Sequence, residues 1–146
     1  MNNKYNYPEL ERVDKDIGRY YKDSNNNLVP SVTTVLSNTS NKSGGLMDWR
    51  LRVGDEEADR VIKQSTDIGT SVHLAIENYL NNKEWSNFGS SYEERISEQI
   101  TKRFISDALK NITEVWGLEV GLILDNLYAG TADCVGKYSD VPSLID

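Results

Sequence analysis

Residues 112–146, ITEVWGLEVGLILDNLYAGTADCVGKYSDVPSLID, decide the fold class, because the hydrophobic period changes there from helical to alternating. Leu118, Val120, Leu122 and Leu124 fall on every second position. With Val115 and Trp116 leading in, they predict a strand of about nine residues. Asp125-Asn126 has the chemistry of a turn. Tyr128 to Tyr138 is then the antiparallel partner, Ser139-Asp140-Val141-Pro142 the next turn, and Ser143-Leu144-Ile145-Asp146 the start of a third strand.

Before Asn111 the apolar residues recur at intervals of three and four, which is the helical period. Ile96, Ile100, Phe104, Ala108 and Leu109 mark one helix, after a polar loop around residues 87–90. Val72, Ala75, Ile76, Tyr79 and Leu80 mark another, opened by Gly69-Thr70. Leu46, Trp49 and Val53 mark a third, whose stripe resumes beyond Gly54 at Ala58, Val61 and Ile62. Residues 38–45 are small and polar, and predict a flexible loop inside the chain. Ahead of that loop, Pro30-Ser31 opens a short helix that carries Val32, Val35 and Leu36 and ends by Ser37. Gly18-Arg19-Tyr20-Tyr21 and Leu28-Val29, on either side of the turn-forming run Asp23 to Asn27, predict a hairpin. Helices and strands in this order give an α/β chain.

A length of 146 residues suits one globular domain, 1–146, rather than two. Three tryptophans, eight tyrosines and a 38% hydrophobic share set it apart from disordered chains. One cysteine, Cys134, excludes an internal disulfide framework, and no apolar run approaches about 18 residues, so neither export nor membrane spanning is signalled. The expected location is the cytoplasm, or the host cytoplasm for a phage-encoded chain. The net charge of −7 speaks against a protein that coats polyphosphate non-specifically, yet suits an enzyme whose carboxylates hold cations.

The alternation places Asp133 on the strand face of Ala129, Thr131 and Val135. A carboxylate among small and apolar side chains needs a cation, a donor or a raised pKa, because burying it unpaired costs several kcal/mol, order of magnitude. Asp146 lies thirteen residues further on, across one turn, so two hairpin strands can bring both carboxylates to one end of a sheet. Glu119, between Leu118 and Val120, is a third candidate. Three oxygen donors from adjacent strands suit Mg²⁺ or Mn²⁺. His73, the only histidine, flanks the stripe of its helix four residues before Glu77, whose carboxylate can orient the imidazole ring. Arg50, Arg52, Arg60 and Lys63 offer a local basic track for a DNA backbone, with Trp49 or Tyr79 available to stack on bases.

Taken in order, Pro30-Ser31-Val32-Thr33-Thr34-Val35-Leu36-Ser37, WRLRVGDEEADRV (49–61), Gly69-Thr70-Ser71-Val72-His73 with Glu77, Gly117-Leu118-Glu119, Ala129-Gly130-Thr131-Ala132-Asp133 and Leu144-Ile145-Asp146 resemble the RecB-type exonucleases of the PD-(D/E)XK superfamily. Phage exonucleases and the mitochondrial genome maintenance exonuclease are the nearest in pattern. The resemblance implies a restriction-endonuclease-like core, a mixed β-sheet flanked by helices, preceded by an N-terminal hairpin and helical region. It implies an exodeoxyribonuclease that uses Mg²⁺ or Mn²⁺ on DNA with a single-stranded end, in phage DNA processing, recombination or repair. By position, Asp133 and Asp146 match the two metal-binding aspartates, His73 the histidine near the metal, and Glu119 a glutamate at the same site; Thr70 and Glu77 accompany His73. The family pattern continues with a lysine two residues after the second aspartate, beyond Asp146, so the C-terminal part of the core is missing here.

Plainer readings stand beside these. Asp133 caps a turn, Glu119 is the exposed half of an alternation, His73 is a satisfied structural histidine, and the four basic residues pair with Asp48, Asp55, Glu56, Glu57 and Asp59 on a solvated helix face. Cys134 reads as a buried small hydrophobe. The alternative to an active nuclease is an inactive remnant that binds DNA or a protein.

Overall fold

In the computed structural model, residues 3–40 and 44–146 are described, and they group into two compact units: residues up to 40 with Ile112–Asp146, and Gly44–Asn111. Each has its own construction. Among the described residues no helix is long and apolar enough to cross a membrane.

The first unit holds two three-stranded antiparallel sheets and one helix. β1 (Arg12–Lys15), β2 (Gly18–Lys22) and β3 (Leu28–Pro30) form one sheet in that order. β4 (Ile112–Leu124), β5 (Tyr128–Tyr138) and β6 (Val141–Ile145) form the other. The predicted hairpin at 18–29 is present as β2 and β3, whereas β1 has no alternating pattern to announce it. The strand expected to cover about nine residues is β4, which is thirteen long. It begins earlier because two irregularities, at Ile112–Glu114 and Val115–Gly117, let it re-register against β5. β6 starts at Val141 rather than Ser143, since the turn closes in two residues with Ser139 and Asp140 both at positive φ.

α1 (Val32–Thr39) follows β3 directly. Ser31 caps it, its hydroxyl accepting from the Thr34 amide at 3.0 Å. The helix runs two residues past Ser37. The loop expected at 38–45 is therefore shorter: Asn38 and Thr39 are helical, Gly45 opens the next helix, and residues 41–43 lie outside the described residues. Ser31 also makes a parallel bridge to Ala129, which seats the start of α1 beside β5. Tyr21, Val29 and Ala129 form the buried cluster of this unit, with Leu10 and Ile123 packed against it. The segment before β1 lies along β4: the Lys4 amide donates to the Trp116 carbonyl at 2.7 Å. A β-carbon at Gly117 or Gly121 would stand 2.6 Å from Tyr7 and 2.4 Å from the Pro8 carbonyl oxygen, so only glycine admits this approach.

The two sheets are tied together at their turns. Asp23, 5% exposed, ends β2 and accepts from the amides of Asn25 (2.9 Å), Asn27 (2.8 Å) and Asn126 (3.0 Å). The last of these belongs to the β4–β5 turn. Ser24 adds its hydroxyl and amide to Asp125 of that turn, at 2.5 and 3.1 Å.

The second unit is helical: α2 (Gly45–Val53), α3 (Asp55–Leu80), α4 (Tyr92–Asp107) and a 3-10 turn at Leu109–Asn111. Asp55, Glu56 and Glu57 occupy the positive end of α3, and a capping box of Ser91 and Glu94 opens α4. Gly69-Thr70 does not open a helix; it lies inside α3, which continues for 26 residues. One internal glycine costs about 1 kcal/mol against alanine, which the flanking turns of a long helix absorb. The buried positions also differ from the expected stripes. Ile100 and Phe104 are exposed, while Ser97 and Thr101, four residues apart on α4, are fully buried, and Ala58 and Ala75 are buried on α3. Small side chains let α3 and α4 approach closely, and the Ser97 hydroxyl is satisfied by the Glu93 carbonyl of its own helix at 2.8 Å.

Desolvation would raise the pKa of the Asp23 carboxyl, yet the Asn126, Asn27 and Asn25 amides outweigh it and hold the pKa below the usual carboxylate value. A depressed folded-state pKa gives stability that is present above the unfolded-state value and is lost as pH falls through the folded one. Asp23→Asn is therefore expected to lower the melting temperature at pH 7, with the gap to the wild type closing as the pH drops below about 4. Thermal melts between pH 3 and 7 check this.

Candidate metal centre

β4, β5 and β6 hold three carboxylates in one row. Leu118 pairs with Cys134 and Val120 with Ala132, so the register sets Glu119 opposite Asp133. On the other side Cys134 pairs with Ile145, the last pair of that ladder, and one step further along the same register Asp146 stands opposite Asp133. Directly opposed residues of antiparallel strands lie about 5 Å apart, and carboxylate oxygens of Glu119 and Asp133 approach within 4.8 Å. Two oxygens on one small divalent ion stand about 3–4 Å apart, twice the metal–oxygen distance at most. The pair thus suits a shared cation with a shift of about 1 Å or less. Asp146 belongs to the row by register.

The environments of the three differ. Asp133 is half-buried, Glu119 and Asp146 exposed. The sequence pattern placed Asp133 among small apolar groups; the buried side of β5 in this stretch is instead Ala132, Cys134 and Gly136, the alternate positions. Asp133 shares its side with exposed Thr131 and half-buried Val135, so this carboxylate keeps partial contact with water. Cys134 is buried, as its reading as a small hydrophobe anticipates. Burial, and then the neighbouring Asp133 charge, push its thiol pKa up, which makes it a poor nucleophile.

Glu119 carries a backbone signature that no sequence pattern announces. Its φ is +49°, in the left-handed region, between two residues that are regularly paired with β5. Outside glycine and asparagine this conformation costs about 1–2 kcal/mol, and such strain gathers at functional sites.

Asp133 and Asp146 both line a cavity of about 480 Å³ enclosed by β2, α1 and the β4–β5–β6 sheet. Thr33, Thr131 and Arg19 also line it. Arg19 was not singled out from the sequence, where it is one more residue in a polar, aromatic stretch.

The remaining sequence candidates lie in the helical unit. His73 is exposed on α3, with Thr70 exposed one turn before it and half-buried Glu77 one turn after. Of the basic residues proposed for DNA, Arg50 pairs with Asp55 (2.7 Å) and Asp59 (2.6 Å), Arg60 with Glu57 (2.6 Å), and Lys63 with Asp67 (2.5 Å). Their positive charge is met locally, so a phosphate backbone has to compete with carboxylates on the same helix. Arg52 is exposed. Trp49 and Tyr79 are half-buried, and Tyr79 packs edge-on against Trp85 with ring centres 5.9 Å apart.

No protein-family model matches the chain, and no curated protein matches it.

The strain at position 119 has a measurable consequence. Glu119→Gly is expected to be more stable than Glu119→Ala by about 1 kcal/mol, because both remove the carboxylate while only glycine accepts the left-handed φ freely. Denaturant melts of the two variants without added metal check this, and equal stabilities would show that the site holds no such strain.

Proposed function

We propose that this chain carries the metal centre of a DNA exonuclease of the restriction-endonuclease-like, RecB-type kind. The observation that carries the reading is the row Glu119–Asp133–Asp146 across three adjacent strands, with both aspartates facing one cavity. Hydrolysis of a phosphodiester at neutral pH needs a water made nucleophilic, shielding of phosphate charge and relief of charge on the leaving oxygen, and a bound Mg²⁺ or Mn²⁺ supplies these.

The chain's own part is to hold and orient. Asp133, central in the row and half-buried, is the anchoring ligand, since a carboxylate with reduced access to water gains most from a cation. Asp146 shares its cavity and is the second ligand. Glu119 is placed by a strained backbone, which fixes its direction before any ion arrives. The order of the sequence motifs assigns His73 to the same ion, with Glu77 orienting its ring and Thr70 at the preceding turn. Arg50, Arg52, Arg60 and Lys63 are proposed to follow the DNA backbone, each exchanging a carboxylate partner for a phosphate. The wider reading, a mixed sheet flanked by helices acting in phage DNA processing, recombination or repair within the cytoplasm, rests on the motif resemblance. Its support here is the coarser agreement of an α/β chain whose strands set the two aspartates side by side.

Metal binding is the direct test. Saturating Mn²⁺ is expected to raise the melting temperature by about 5 °C, from the linkage of ligand to folding at roughly a hundred times the dissociation constant. Asp133→Asn removes most of that rise. Nucleotide release from end-labelled DNA, dependent on Mn²⁺ and lost in Asp133→Asn, supports the exonuclease. A rise that Asp133→Asn leaves unchanged, or no rise in the wild type, overturns the metal centre.

A further inference from the structure

We infer that the cavity beside Asp133 and Asp146 holds a nucleoside monophosphate unit, its phosphate on Arg19 and its sugar and base against the apolar wall. The inference rests on the nuclease reading and names which part of the substrate the site grips.

Charge is the first ground. Among the described residues Arg19 is the only basic one lining the cavity, and Asp133 and Asp146 are its acidic ones. A divalent cation held by the acidic row offsets carboxylate charge at that side of the cavity, and the Arg19 guanidinium remains to meet an anion. A guanidinium matches a phosphate with two parallel hydrogen bonds. Among the described residues the Arg19 side chain has no ion-pair partner.

Position is the second. The backbone of Arg19 is pinned before any ligand arrives: its amide donates to the Thr34 hydroxyl and its carbonyl accepts from that hydroxyl, both at 2.9 Å, and from the Ser31 amide at 2.8 Å. Gly18 makes this possible, since a β-carbon there would lie 2.7 Å from Thr34. The first turn of α1 thus fixes where the Arg19 side chain starts, so that only the side chain has to be ordered by a ligand.

The wall is the third. Leu36, Leu124, Leu144 and Tyr128 line the cavity and are all more than 40% exposed. A free phosphate leaves that surface in water, whereas a nucleoside covers it and offers a flat ring to Tyr128. A volume of about 480 Å³ falls within the usual range for small-ligand sites.

Calorimetric titration of thymidine 5′-monophosphate into the chain, in Mn²⁺ and in EDTA, tests the inference. Binding is expected in Mn²⁺, and at least about tenfold weaker in Arg19→Ala, the loss of a charge-assisted hydrogen bond. Arg19→Gln, which keeps most of the stem, loses the same factor and guards against a folding defect. Tyr128→Ala weakens the nucleotide and leaves inorganic phosphate unchanged. The rise in melting temperature with Mn²⁺ persists in all three variants, so a failed metal centre and a failed nucleotide site are told apart. Wild-type affinity in Arg19→Ala and Arg19→Gln, inorganic phosphate binding as tightly as the nucleotide, or no nucleotide binding in either condition overturns the inference. If Mn²⁺ does not bind, nucleotide binding in EDTA that still depends on Arg19 sustains it while the nuclease reading falls.

Discussion

The buried carboxylate of Asp23 is the constraint on which the geometry of the strand-rich unit depends. It sits where β2 ends, takes three backbone amides, and one of them belongs to the turn between β4 and β5. A buried carboxylate is costly unless its lone pairs are met, and here meeting them requires the two hairpin turns to touch. Asn26 and Asn126 stand in those turns with the same φ of +62°, a conformation that asparagine tolerates better than most residues. Ser24 and Asn27 add side-chain bonds to Asp125 and Asn126. The clamp fixes how the small sheet lies beside β5, and therefore where Arg19 and Tyr21 stand relative to Asp133.

From that clamp the candidate site follows in two steps. The Tyr21–Val29–Ala129 cluster and the Ser31–Ala129 bridge hold the small sheet and the start of α1 against β5. Beside this cluster, β2, α1 and the larger sheet line the cavity that Asp133 and Asp146 border. Ladder register then does what no single side chain does: the constant offset between β4, β5 and β6 aligns three acidic residues that are far apart in the chain. In the proposed metal centre, a divalent cation bridging this row adds stability by linkage to the folded state.

Much of this was legible in the sequence, for identifiable reasons. The alternation of Leu118, Val120, Leu122 and Leu124 and the turn residues after it gave β4, β5 and the start of β6, because strand period and turn chemistry are local. The Asp23–Asn27 turn and the Ser31 cap were read for the same reason. What escaped was non-local. β1 has no alternation of its own and exists by pairing with β2. The burial of Ser97 and Thr101 in place of Ile100 and Phe104 depends on how closely two helices approach, and Gly69 lies inside α3 because a glycine is a weak breaker within a long helix. The face of Asp133 is non-local too, since burial in β5 moves to the alternate positions after Ala129. Nothing in a lone arginine on a hairpin tells that Arg19 lines a cavity. Glu119 was named from its neighbours, yet its left-handed backbone is visible only in three dimensions.

The most direct measurement is a two-dimensional amide NMR spectrum recorded with substoichiometric Mn²⁺, whose paramagnetism erases signals near the bound ion. If the row of carboxylates is the metal centre, the amides of Leu118 to Val120, Ala132 to Cys134, and Ile145 and Asp146 vanish first. Selective loss around Asp55, Glu56, Glu57 and Asp59 at the start of α3, with the β4–β5–β6 sheet untouched, would contradict it.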